Sequence, residues 1–291
     1  MRVEQLGSGT PELAIVGGIH GDEPCGVHAI ERLLESPPPV KRPVKLVVAN
    51  ERALEAGVRY VDEDLNRTFP GDPSADTHEG RLAHRLVTEL EGCLTFSMHS
   101  TRSYAEPFAI VNGLLEDAVS ICRQLPVDAI VDTGRFDRGR LFTAVDTVEV
   151  ECGLQESASA AANAVTLARK FLIATGAVPK TPARRVAPAF RLVDCIPKTE
   201  GTTYEVFVEN FERVDAGEPF AAVDGRPHYA DEPFYPVLLS ADGYESVFGY
   251  TARKVDAPVG PADTTSAMVE PTDSAASSSR PQSRSSTGPD G

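Results

Sequence analysis

The sequence predicts an α/β fold, a mixed sheet flanked by helices, followed by a small β-rich C-terminal domain. Two observations lead there. From residue 13 to about 178, short apolar runs of strand length alternate with segments of helical periodicity, the pattern of a sheet covered on both faces. After Pro179 the helical patterns stop and prolines punctuate short β-type runs. The expected boundaries are an α/β domain over 1–179, a β-rich domain over 180–255 and a tail over 256–291.

The elements follow in order. Residues 13–16 are an unbroken apolar run, read as a buried strand that stops at Gly17-Gly18, with the next helix over 26–34 and a strand over 44–49. Within 79–91, Leu82, Leu86 and Leu90 recur every four residues, which places them on one helical face. Strands are expected at 93–98, 108–111, 129–132 and 147–151, with helices at 114–125 and over the Ala-rich stretch 157–175. In the Pro-punctuated part, where Pro182, Pro188 and Pro197 interrupt, 204–208, 220–223 and 236–239 read as strands. From about Ala257 the chain is rich in Pro, Ser, Thr and Gly. It offers little apolar surface to offset the entropy of ordering, so a disordered tail is expected. No internal repeat at a fixed period is present.

The 291 residues carry a net charge of −15, of which the tail contributes only two. Such a surface excludes nucleic acid and anionic membranes as favoured partners. No apolar run approaches the roughly 20 residues of a membrane span. Met1-Arg2-Val3-Glu4-Gln5 lacks the basic-then-apolar layout of a signal peptide, which predicts a cytoplasmic protein. The five cysteines are scattered with no C-x-x-C, so free thiols in a reducing compartment are expected. Only six of the 28 basic residues are lysines. An acidic, Arg-rich composition of this kind is similar to that of halophilic proteins. Composition leaves a homo-oligomer open.

In open α/β sheets, sites form beyond the carboxyl ends of strands, and three segments qualify. The first strand runs into Gly17-Gly18-Ile19-His20-Gly21-Asp22-Glu23, a His-x-x-Glu in a glycine-rich turn before a helix, where small residues suit the close approach of a ligand. Another ends at His99-Ser100-Thr101, and a third, Val148-Glu149-Val150-Glu151, ends at Cys152-Gly153. His20, Glu23 and His99 supply two imidazoles and a carboxylate, the ligand set of a catalytic zinc with an open fourth position. Glu151 is then a carboxylate near the metal but not on it, placed to take a proton from bound water.

The remaining histidines, His28, His78, His84 and His228, read as packing or surface residues, and Cys25 and Cys152 as small buried thiols. The segment from Arg59 to Gly71 sets two arginines and Asn66 beside Asp62, Glu63 and Asp64. Two readings stay open there: a fork-shaped carboxylate clamp, or a loop whose arginines and acids satisfy one another.

Taken together, Gly17-Gly18-Ile19-His20-Gly21-Asp22-Glu23, Arg59-Tyr60 with Asp64-Leu65-Asn66-Arg67, His99-Ser100-Thr101 and Val150-Glu151-Cys152-Gly153, in that order, resemble the succinylglutamate desuccinylase/aspartoacylase family of zinc hydrolases, relatives of the zinc carboxypeptidases. Phe234-Tyr235-Pro236-Val237 with Tyr244 resembles that family's C-terminal β domain. The resemblance covers about residues 10–250. It implies a zinc carboxypeptidase-like fold, one Zn2+ per chain on His20, Glu23 and His99, and Glu151 as general base. Arg59 matches the residue that helps polarise the scissile carbonyl, and Asn66 and Arg67 match substrate-carboxylate binders. Tyr244 falls near a substrate-contacting tyrosine, and Arg140, with Arg138 close by, falls near a further family arginine. Aspartoacylases typically continue from the base as Glu-x-Gly-Pro-Gln, whereas Gly153 here is followed by Leu154-Gln155. The implied activity is a zinc-dependent deacylase cleaving the amide of an N-acyl amino acid or a similar small carboxylated amide. A zinc carboxypeptidase acting on short peptides, or a metal-free anion-binding module on the same fold, are the alternatives.

Overall fold

The computed structural model describes residues 1–181 and 186–256. Pro182 and the expected tail beyond Asp256 lie outside the described residues. The elements are β1 (Arg2–Leu6), β2 (Leu13–Gly17), α1 (Cys25–Glu35), β3 (Val44–Val48), α2 (Glu51–Ala56), α3 (His78–Leu90), β4 (Leu94–Thr101), β5 (Phe108–Val111), α4 (Glu116–Cys122), β6 (Ile130–Asp132), β7 (Thr147–Leu154) and α5 (Ala158–Ala174). Only strands follow: β8 (Ala189–Pro197), β9 (Tyr204–Val206), β10 (Pro219–Val223), β11 (Arg226–Tyr229), β12 (Tyr235–Val237) and β13 (Val247–Val255). Side chains start three of the helices by accepting backbone N–H groups, Asn50 from Ala53, Thr77 from Gly80 and Ser157 from Ala160.

Among the described residues ten strands form one sheet in the order β1-β3-β2-β4-β7-β5-β6-β8-β13-β12. Its centre, β3-β2-β4-β7, is parallel, whereas β1, the β7/β5 pair and the β8-β13-β12 end are antiparallel. The expected mixed sheet is therefore present. Period-two alternation sorts the side chains. Leu13, Ile15, Phe96, Met98, Val148 and Val150 pack with α1, α4 and α5 on one face, where Phe96 stacks on Phe171 at 4.7 Å. Ala14, Val16, Val47 and Ala49 meet Leu82, Ala83, Leu86 and Leu90 of α3 on the other.

The change in sequence pattern near residue 180 marks where helices cease, not where the sheet ends. β8 pairs in parallel with β6, and β13 and β12 continue the same sheet. Only β9, β10 and β11 form a separate three-stranded sheet. Two further departures have simple causes. β1 is an edge strand with four of its five residues exposed, so it has no apolar pattern to read. β4 and β7 run three residues past their expected ends, because the buried polar His99 and Ser100 in β4 and Gly153 in β7 break the apolar pattern of a strand. No helix among the described residues is long and apolar enough to cross a membrane.

Candidate active site

Neighbouring strands β4 and β7 carry one wall of the site. On the face away from α1 and α5 these strands present Thr95, Ser97 and His99 beside Thr147, Glu149 and Glu151, all buried. The parallel register sets Ser97 opposite Glu149 and His99 opposite Glu151. His99 thus sits inside its strand rather than just beyond it, and Glu151 lies in the strand as expected. Beside them, the turn after β2 brings in His20 and Glu23. Its glycines serve the chain's own packing: a Cβ on Gly21 would lie 2.1 Å from the Ala53 carbonyl carbon, so the turn lies directly on α2.

His20, Glu23 and His99 are all buried, with their ligand atoms within 4.8 Å of one another. Glu23 Oε1 lies 2.8 Å from His20 Nδ1 and Glu23 Oε2 lies 3.1 Å from His99 Nδ1. Each ring's other nitrogen is engaged from outside the cluster, His20 Nε2 by Asp64 Oδ1 at 3.0 Å and His99 Nε2 by Ser97 Oγ at 3.0 Å. This is how metal-ligating histidines are oriented. Burial disfavours a charged imidazole, but the Glu23 and Asp64 carboxylates outweigh it and raise His20 to about 9. Glu23 is held well below the usual carboxylate range, since the two imidazoles overcome its own burial. A concave buried set of two imidazoles and one carboxylate fits a divalent metal with a position left open.

Unpartnered atoms support that fit. Of the four buried side-chain atoms without a hydrogen bond among the described residues, Asp22 Oδ1, Ser100 Oγ and Glu151 Oε2 line this one pocket, where an incoming ligand can engage them. Burial, reinforced by the nearby Glu23 carboxylate, raises Glu151 to about 7. A carboxyl that exchanges its proton near neutrality suits general acid–base chemistry.

All nine residues singled out from the sequence line the same pocket, of about 960 Å3. Arg59 reaches Glu23 Oε1 with Nη1 at 2.9 Å and clasps Asp64 Oδ2 with Nε and Nη2 at 3.1 and 3.0 Å. Asn66 is 2% exposed and ties two segments together, accepting from Leu141 N and donating to Glu149 Oε1. Arg67 donates to its neighbour's carbonyl, Asn66 O, at 2.7 Å and has no carboxylate within 4 Å among the described residues. Each reading of the 59–71 loop thus describes one arginine: Arg59 is satisfied within the chain and Arg67 is available to an anion. Gly139 packs its α-carbon against Arg67, a Cβ there falling 2.1 Å from Arg67 O. That contact brings Arg140 into the pocket, whereas Arg138 is exposed and lies outside it. Tyr244 arrives on the loop between β12 and β13, whose carbonyls at Ala241 and Tyr244 accept from Lys198 Nζ. Desolvation pushes its phenol up to about 12, so it stays a neutral donor.

Four residues of the surroundings were given no role in the sequence. Asp64 sat in an acid run that looked like loop charge; the run is in fact answered one residue at a time, Asp62 by His78 N, Glu63 by Thr77 Oγ1 and Asp64 by His20 and Arg59. Glu79 is completely buried at the start of α3 and accepts the backbone N–H groups of Val61, Asp62 and Glu63. Ser97 and Glu149 were readable only as strand residues, and period-two counting back from His99 and Glu151 is the signal that finds them. The other histidines stay out of the pocket: His28 is exposed, His78 meets Asn50, and His228 packs near Phe220.

The mixed sheet has the zinc carboxypeptidase-like fold expected from the sequence. A structure titled succinylglutamatedesuccinylase/aspartoacylase from Rhodobacter sphaeroides superposes with a TM-score of 0.71 over 87% of this chain and 89% of that one at 19% identity. Residues 9–112 match the family model described as the succinylglutamate desuccinylase/aspartoacylase catalytic domain. Among curated relatives, a rat N-acyl-aromatic-L-amino acid amidohydrolase (carboxylate-forming) is 46% identical over 60 residues, 20% of this chain and 19% of that protein. A probable aspartoacylase from Nostoc sp. is 38% identical over 85 residues, 28% of this chain and 29% of that protein. The aligned segments therefore span less than a third of either relative's length.

Proposed function

We propose that the protein is a zinc-dependent deacylase that hydrolyses the amide bond of an N-acyl amino acid or a similar small carboxylated amide. The observation that supports this best is the placement of Glu151, with an unpartnered oxygen, in the strand beside His99 of the His20–Glu23–His99 cluster. His20, Glu23 and His99 would hold the zinc ion, which supplies acidification of a water and polarisation of the scissile carbonyl. Glu151 accepts a proton from the attacking water as its oxygen adds to the carbonyl carbon, and returns it to the amine nitrogen as the C–N bond breaks. Arg59, pinned by Asp64, presents its guanidinium beside the developing oxyanion, a kind of contact worth about 3–4 kcal/mol. Arg67 pairs with the substrate carboxylate, aided by the second amide hydrogen of Asn66. Lys198, Tyr204 and Tyr244 close one wall of the pocket, which favours small amides over the peptides a carboxypeptidase takes.

The test is metal analysis with substrate turnover. The purified chain should hold about one zinc, lost together with amidase activity in His20→Ala. A zinc-free active protein, or hydrolysis of short peptides in preference to N-acyl amino acids, refutes the reading.

A further inference from the structure

Within the deacylase reading, on which this rests, we infer that Lys198 is a positioning residue: its ammonium latches the loop between β12 and β13, and through that loop fixes the Tyr244 phenol against the bound substrate.

The two halves of the loop are held in different ways. The first is pinned by Asn210, whose Oδ1 accepts from Leu239 N at 2.8 Å while its Nδ2 donates to Leu239 O at 3.0 Å and to Ser103 O at 2.8 Å. The second relies on one residue. Among the described residues, the hydrogen bonds that tie 241–246 to the chain outside the loop are all donated by Lys198. Its backbone N–H goes to Ser246 O at 2.9 Å, and its Nζ to Ala241 O at 2.6 Å and Tyr244 O at 2.5 Å.

Strand register puts the lysine there. Pro197 of β8 pairs with Val247 of β13 at the foot of the loop, so the next side chain is long enough to reach two of the loop's carbonyls at once. The ammonium also lies 4.8 Å from the Tyr204 ring centroid and 5.6 Å from that of Phe248, where ring faces attract a cation. Asp242 of the same loop is exposed and forms no ion pair with it. Because the acceptors are main-chain oxygens, the lysine fixes backbone, and a charged donor makes the stronger kind of bond. Tyr244 is one of the two residues held by the carbonyl. Its side chain lines the pocket together with Arg67 and Arg140, so the latch sets where the phenol stands beside them. An apolar side chain at 198 would leave both carbonyls without their donor.

The experiment uses the zinc-loaded full chain and whichever of N-acetyl-L-methionine and N-acetyl-L-aspartate it hydrolyses faster. Lys198→Met should raise KM about tenfold and change kcat less than about threefold, and Tyr244→Phe should do the same. The double variant should be no worse than either single one, a coupling of about tenfold, or 1.4 kcal/mol. Additive losses mean that Lys198 acts on the substrate or on the fold and not through Tyr244, and overturn the inference; so does a Tyr244→Phe without effect. A second readout needs no substrate. Glu245 is exposed, and native-state cleavage after it by a glutamyl endopeptidase should speed up about tenfold in Lys198→Met relative to the other glutamyl sites. Unchanged cleavage there, or equal acceleration at every site, overturns the latch. Lys198→Gln, too short to reach both carbonyls, replaces Lys198→Met if that variant does not fold. Turnover of neither compound counts against the deacylase reading instead, and the cleavage rates then decide the latch alone.

Discussion

Glu79 should govern the loop that holds Arg59, Asn66 and Arg67, although it touches none of them. Its Oε1 accepts from Asn50 Nδ2 at 3.0 Å and Val61 N at 2.8 Å, and its Oε2 from Asp62 N at 3.0 Å and Glu63 N at 3.4 Å. Glu79→Gln keeps one oxygen and turns the other into an NH2 facing donors. Two bonds to a charged acceptor are lost, each worth about 1.5–3 kcal/mol, and Asp62 is exposed enough for water to compensate in part. A loss of about 3 kcal/mol is expected by denaturant unfolding, with faster amide exchange at 61–63 and a reduced kcat/KM. The Glu79 carboxyl is held below the usual range by those N–H groups, which overcome its burial. Its contribution is therefore full above the unfolded pKa of about 4.5 and is lost as pH falls through the folded value. The gap between wild type and variant should close on acidification. A variant within 0.5 kcal/mol of wild type at pH 7, with unchanged exchange, would show that the loop holds itself.

Other expectations concern the site directly. Glu151→Gln should retain its metal while kcat falls about a hundred- to ten-thousand-fold; an undiminished rate would remove Glu151 from the chemistry. Asp64→Asn leaves His20 Nε2 with a weaker partner and should cut metal affinity about 10- to 100-fold in chelator competition. Gly21→Ala drives a methyl group into the Ala53 backbone and should cost about 3 kcal/mol, read as a lower midpoint of thermal unfolding. With a net charge of −15 and a Debye length of only about 3 Å at 1 M salt, lowering the salt should raise KM for an anionic substrate, and a fall would contradict the idea of an anion site within an acidic shell.

What the sequence revealed and what it hid divide along physical lines. β2, α1, α3, β5 and α5 were legible because each buries an apolar face, and that face repeats at the period of its own backbone. β1 was hidden because an edge strand owes its hydrogen bonds to a neighbour and its side chains to solvent. The end of β4 was hidden because burial there is polar: His99 and Ser100 break the apolar run that signals a strand. Residues that act themselves, such as His20 or Arg67, stand out by type and company. Residues that hold others, such as Asp64 and Glu79, become visible only when chain segments 16 to 44 positions apart are brought together.

The pairing of His99 with Glu151 has a consequence for tuning. Neighbouring strands lie about 4.8 Å apart by the geometry of their hydrogen bonds, so the span between ligand and base is inherited from the ladder and not from any fit between side chains. Substitutions in the helical layers can loosen the protein without detuning that span. A one-residue slip of either strand, in contrast, would turn its ionisable groups into the layer of Phe96 and Phe171 and carry Met98 or Val150 into the pocket. The sheet thus acts as a ruler that reads correctly in one register only.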